Sequence, residues 1–158
     1  MANTQSLTTS FMGELMTATH NFGVAPIRAA TTADTFKAAL YLASATINAS
    51  TTAYSATGEV TGTNYTAGGV SVTNATAPIA TNSSVTAGVA YWTPSASITY
   101  TTVTLSTAFD CVLIYNSTQS NKAVSVHTFG SQTITAGTFT LTMPSNSTTT
   151  ALLRLSTT

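Results

Sequence analysis

Few side chains in this sequence can move a proton, attack a carbon or hold a metal. Outside the tyrosines, the supply is His20, His127, Cys111 and the four carboxylates Glu14, Asp34, Glu59 and Asp110. Acid–base and nucleophilic chemistry need such groups held close together. No two of them have C-x-x-C or H-x-x-x-H spacing, which would set two metal ligands on one element. Asp110 and Cys111 are neighbours, so on a strand they project to opposite faces. Cys111 lies in the apolar run Cys111-Val112-Leu113-Ile114-Tyr115 and reads as a small buried hydrophobe. His127 shares its parity with Ser125 and opposes Val124 and Val126, which sets it on an outward face. His20 falls at a predicted helix end, where a charged imidazole interacts favourably with the helix dipole. Gly58, Gly62, Gly68 and Gly69 fit neither a Walker pattern nor a dinucleotide fingerprint, and they read as turn residues. Tyr91-Trp92 is the one aromatic pair suited to stacking on a sugar ring, so these two are the candidate glycan contacts. The same pair serves equally well as core. No catalytic, cofactor-binding or metal-binding residue is assigned. The expectation is a protein that is not an enzyme and takes no cofactor.

The elements that must position these groups follow from periodicity. Leu7, Phe11 and Leu15 recur at helical spacing with Met12 and Met16 beside them, which predicts a helix over Leu7–His20. Asn3, Thr4 or Ser6 can cap its start and Gly23 can end it. It packs either on its own domain or, as an arm, on a neighbour. Beyond Gly23, threonine alternates with Val, Ile, Phe and Leu, the period of a strand with one buried face. Thr138-Phe139-Thr140-Leu141-Thr142-Met143 is the clearest case, stopped by Pro144.

Further strands are expected over Phe36–Ala43, whose alanines also allow a helix, and over Gly58–Thr63, around Val70–Val72, and over Val89–Trp92, Ser97–Leu105 and Phe109–Asn116. Ala123–Phe129, Gln132–Met143 and Ala151–Leu155 complete the set. Ile98 and Tyr100 share one parity, Val103 and Leu105 the other, so a bulge is expected near Thr101-Thr102. A kink is expected at Gly137. Phe109 to Tyr115 is apolar on both parities, as in a central strand covered on both faces. Ser44–Thr57 and Asn74–Thr86 read as long loops. Nine or ten short strands with turns between them predict an all-β fold, an antiparallel β-sandwich of jelly-roll type with an N-terminal α-helix. Residues 1–23 form the helical segment and 24–158 the sandwich.

Composition narrows the function. Only 5 % of the chain is charged and 43 % is hydrophobic, against roughly 25 % charged in an ordinary soluble domain. The formal net charge is zero, which favours association. The four basic residues are scattered, so no stripe exists for nucleic acid or an anionic membrane. No run approaches the length of a membrane span. The start lacks a basic segment followed by an apolar one, so no signal peptide is expected, and the chain is expected to stay in the cytoplasm where it is made until assembly.

Several stretches together resemble a widespread family of small virion structural proteins from tailed bacteriophages. They are Ser10-Phe11-Met12-Gly13-Glu14-Leu15 with His20-Asn21-Phe22, Lys37-Ala38-Ala39-Leu40-Tyr41, and the segment from Gly58-Glu59-Val60 through Tyr65 to Gly68-Gly69-Val70. Leu113-Ile114-Tyr115-Asn116, Lys122-Ala123-Val124-Ser125-Val126 with Phe129-Gly130, and Gly137-Thr138-Phe139-Thr140-Leu141-Thr142-Met143-Pro144 follow in order. The resemblance implies a non-enzymatic particle component, a capsid decoration (cement) subunit or a tail protein. Its expected partners are copies of itself and the major capsid protein or tail proteins of the same particle. The alternative is a tail or fibre component that touches a host-surface glycan.

Overall fold

The computed structural model describes residues 3–8, 10, 11, 15, 19, 20, 22, 33–73, 77–81 and 88–156. Among them the chain forms eight strands: β1 (Ser6–Leu7), β2 (Phe36–Leu42), β3 (Val70–Ser71), β4 (Ile79–Ala80), β5 (Val89–Trp92), β6 (Ile98–Asn116), β7 (Lys122–Leu141) and β8 (Leu153–Ser156). They make a five-stranded sheet, β1-β7-β6-β2-β3, and a three-stranded sheet, β4-β5-β8. Every pairing is antiparallel. The fold is all-β, as the alternation predicts.

The centre is one long hairpin, β6 of 19 residues and β7 of 20. The sequence reading divides each into two strands at Ser106–Ala108 and at Gly130-Ser131. Instead the strands continue, and register shifts absorb the extra residues. One shift falls between Tyr100 and Val103, at the expected bulge, where Thr102 has φ 52°. Another lies beside Gly137, where Ala136 has φ 46°. Gly58–Thr63 is not a strand. It touches the sheets through isolated bridges, Glu59 to Tyr41 and Thr63 to Thr104. The loop expected over Ser44–Thr57 is present, while Ile79-Ala80 in the second expected loop pairs with β5 just after Pro78.

The N-terminal helix is not confirmed. Leu7 lies in β1, opposite Ser125. Ser10, Phe11 and Leu15 carry helical backbone, but Met12–Glu14 and Met16–Ala18 lie outside the described residues, as does Gly23. Ser6 and Leu7 extend the sheet built by residues beyond 24, so the chain's start is tied to that sheet.

Both faces of the five-stranded sheet are packed near the hairpin turn. Phe36, Ala38 and Leu40 of β2 join Phe109, Val112 and Ile114 of β6 in one cluster. Trp92 and Leu153 of the three-stranded sheet belong to it as well. Alternate residues Ala39, Tyr41, Cys111, Leu113 and Tyr115 form a second cluster with Ile47, under the 44–57 loop. This is the two-faced burial expected for Phe109–Tyr115, a consequence of side chains alternating along a strand.

Candidate functional site

The glycan candidates sit on β5. Trp92 is 2 % exposed, its ring 4.9 Å from Phe22 and 6.2 Å from Phe36. That is the core packing weighed beside the sugar-stacking role. Tyr91 is half-buried and opposite Arg154. Both line a groove of about 100 Å³ with Leu7, Phe11, Phe22 and Leu155. Its walls are nearly all carbon, whereas sugar recognition needs convergent polar groups.

Cys111 and His127 do not converge: Cys111 belongs to the second cluster, and His127 lies on the other face of the sheet. Cys111 is fully buried, and burial pushes its thiol up to about 12 with Asp110 adding to the effect. It is a packed hydrophobe rather than a nucleophile. His127 is not outward. A register shift between Ile114 and Tyr115 reverses the parity of β7 after Ala123. His127 therefore stands opposite Val112, on the side of the first cluster. Burial lowers its imidazole to about 4, and its Nε2 lies 2.9 Å from Ser125 Oγ. His20 is buried too. Its Nδ1 accepts from Asn116 Nδ2 at 3.0 Å, and the same amide donates to Asp34 Oδ2 at 2.8 Å. Asn116 Oδ1 accepts the N–H groups of Thr118 and Gln119. The cluster therefore ties His20 and the start of β2 to the β6–β7 turn. Among the described residues, no group of three or more His, Cys, Asp or Glu is placed to hold a metal ion.

Sequence reasoning missed Glu59. It is 6 % exposed. Oε2 accepts from Tyr54 Oη at 2.7 Å; Oε1 accepts from Tyr65 Oη and from the Gly68 N–H, both at 2.8 Å. A buried carboxylate is tolerated only with such partners. Tyr65 Oη in turn accepts the Leu40 N–H at 3.0 Å. This fills a gap in the edge of β2 between the Val60–Leu40 bond and the pairing of Val70 with Ala38. Gly69 closes the same turn with φ 72°, and a Cβ there would lie 1.7 Å from Ala38 O. Tyr41 and Tyr115 complete the ring by donating to Ser55 O at 2.6 Å and Gly68 O at 2.8 Å. Burial raises all four phenols, Tyr54 to about 12, and the Glu59 carboxylate raises them further. They stay protonated as donors, so the ring's hydrogen bonds hold the 58–72 segment against β2. The visible signal was one carboxylate in an uncharged segment between glycines and tyrosines, Gly58-Glu59 through Tyr65 to Gly68-Gly69.

On the far half of the hairpin, the solvent-facing side chains are mainly hydroxyls. Thr99, Thr101, Thr102, Thr133, Thr135, Thr138 and Thr140 are exposed. The Thr99 and Thr140 hydroxyls lie 3.4 Å apart across the strands. The outer edge of β7 is covered by β1 only at Ser125 and Val126. Thr8 bonds Val124 and Thr52 bonds Ala123 just before them. These features together form an uncharged, hydroxyl-covered surface with a strand edge left open among the described residues.

No protein-family model, curated protein or solved structure matches the chain. Among the described residues, no helix is long and apolar enough to cross a membrane.

Proposed function

We propose that this chain is a non-enzymatic structural subunit of a bacteriophage particle, a capsid decoration (cement) protein on the particle's outer surface. The supporting observation is the far half of the β6–β7 hairpin. It offers threonine hydroxyls and backbone rather than ions. Such a surface docks by hydrogen bonding and close packing, and it neither steers nor repels charged solutes. In this reading the two sheets, which share Trp92 and Leu153 with the main cluster, form a jelly-roll-like sandwich. The subunit is made in the bacterial cytoplasm and carried in the virion. Its partners are its own copies and the major capsid protein.

The test is to locate the chain on purified particles by gold-labelled antibody and by co-sedimentation with emptied heads. Label over heads is expected. Retention on heads should change little between about 0.05 and 1 M salt, because few charges exist to be screened. Label confined to tails would favour a tail protein instead. Absence from particles would overturn the reading.

A further inference from the structure

From His127 to Leu141 the outer edge of β7 has no backbone hydrogen bond among the described residues. Open edges are templates for pairing, and proteins usually blunt them with lysine, proline or bulges. Here no charged residue occurs between Lys122 and Arg154, and no proline before Pro144. Two irregularities, between Thr128 and Gln132 and at Ala136, do twist the edge. Past them, β7 carries no inserted residue from Gly137 to Leu141: Phe139–Leu141 pairs in continuous register with Tyr100 back to Ile98, and Gly137 pairs with Val103 across the bulge at Thr101-Thr102 of β6.

We propose that this edge is a self-association site, with Gly137–Leu141 of one copy paired antiparallel to Gly137–Leu141 of a second copy about a two-fold axis. An antiparallel pair about such an axis matches donors to acceptors by symmetry. The same symmetry sets each residue near its own kind, so a charged edge would repel itself. This edge carries no charge, and the whole chain is neutral, so self-pairing meets neither local nor long-range repulsion. A foreign strand gains nothing from that neutrality; a second copy does. Thr138 and Thr140 are exposed while Phe139 between them is buried. Pairing would set threonines against threonines and carry the Thr99–Thr140 row onto the partner. The inference stands on edge geometry and does not depend on the particle reading.

The contact is small, and a Kd on the order of 100 µM is expected. Sedimentation of the purified full chain, up to about 1 mM, measures it. The variant Thr138→Lys with Thr140→Lys changes only exposed side chains, and circular dichroism checks its fold. It should weaken the dimer about tenfold by setting lysines against lysines. Thr99→Lys with Thr101→Lys lies on the same outward face but on β6, away from the edge, and should leave the dimer unchanged. Amide exchange in Gly137–Leu141 should slow as concentration rises. A chain that stays monomeric throughout overturns the proposal. So does a dimer that survives the edge variant, or one lost only with the β6 pair, which would make the outward face the interface.

Discussion

The two halves of the β6–β7 hairpin are built from the same pair of strands and live in different solvents. Near the turn, every residue from Cys111 to Asn116 is buried, and Ala123 to Val126 with them. One face meets the Phe36–Trp92 cluster and the other meets the 44–57 loop. In the far half only one face is packed, through Ile98, Tyr100, Val103, Leu105 and Phe139, and the other is bare threonine. The difference lies in the cover. Ser44–Thr57 and the Glu59-centred segment lie over the near half, and a strand so covered must be apolar on both parities. Among the described residues the far half has no such cover, and it alternates. Stability is therefore concentrated near the turn, while the surface available to partners lies away from it.

The largest expected effect tests that division directly. Leu113→Ala empties a fully buried site in the second cluster and should cost about 3 kcal/mol in urea unfolding. Thr133→Ala, on the bare half, should stay within about 0.5 kcal/mol. Equal costs would erase the distinction. Next comes Glu59→Ala. It leaves the Gly68 N–H and two phenols without their acceptor and should cost about 2 kcal/mol. Glu59→Gln keeps one carbonyl oxygen and should cost less than half of that. If Ala and Gln behave alike, the carboxylate is not the fastener of the 58–72 segment.

Much of this was legible because it is local. Alternation located β2 and both ends of the hairpin, and a parity slip located the bulge at Thr102. The two-sided apolar run Phe109–Tyr115 revealed the central strand. What stayed hidden depends on distance along the chain or on a single inserted residue. The Glu59 ring joins Tyr54, Tyr65 and Gly68, and no spacing rule connects one carboxylate to those partners. The alternation points His127 outward, but one extra residue beside Val124 flips every later side chain, and such an insertion leaves no mark in the sequence. The sequence pattern divides the long strands at Ser106–Ala108 and Gly130-Ser131 because turn residues and bulge residues are of the same types. For the glycan pair, burial separates Trp92 from Tyr91, and nothing in two adjacent aromatics foretells that.

A smaller effect should come from acid, again near the turn. Unfolded, the His127 imidazole titrates near 6.5; folded, burial holds it near 4. Between those values the unfolded chain binds more protons, so stability rises with pH there. The contribution is complete above about pH 6.5 and is lost as pH falls through 4. Its size is about 1.5 kcal/mol after allowing for the part of the ring that meets solvent. His127→Gln should flatten that portion of the stability curve. An unchanged slope between pH 4 and 6.5 would mean that the ring is solvated in the folded chain.

The smallest effect belongs to the far half, where no deep core masks local backbone strain. Ala136 holds φ 46° at a register shift, its side chain exposed and its N–H donating to Thr104 Oγ1 at 3.0 Å. A left-handed backbone costs a non-glycine residue about 1 kcal/mol, and glycine relieves it. Glycine also gives the unfolded chain more freedom, which takes back part of the gain. Ala136→Gly should therefore raise stability by about 0.5 kcal/mol in urea titration. The shape of the bulge, and with it the Gly137–Leu141 edge beyond, should be unchanged. A loss of more than about 1 kcal/mol would show the Ala136 methyl to be packed, and the far half to be held by contacts rather than by hydrogen-bonded backbone alone.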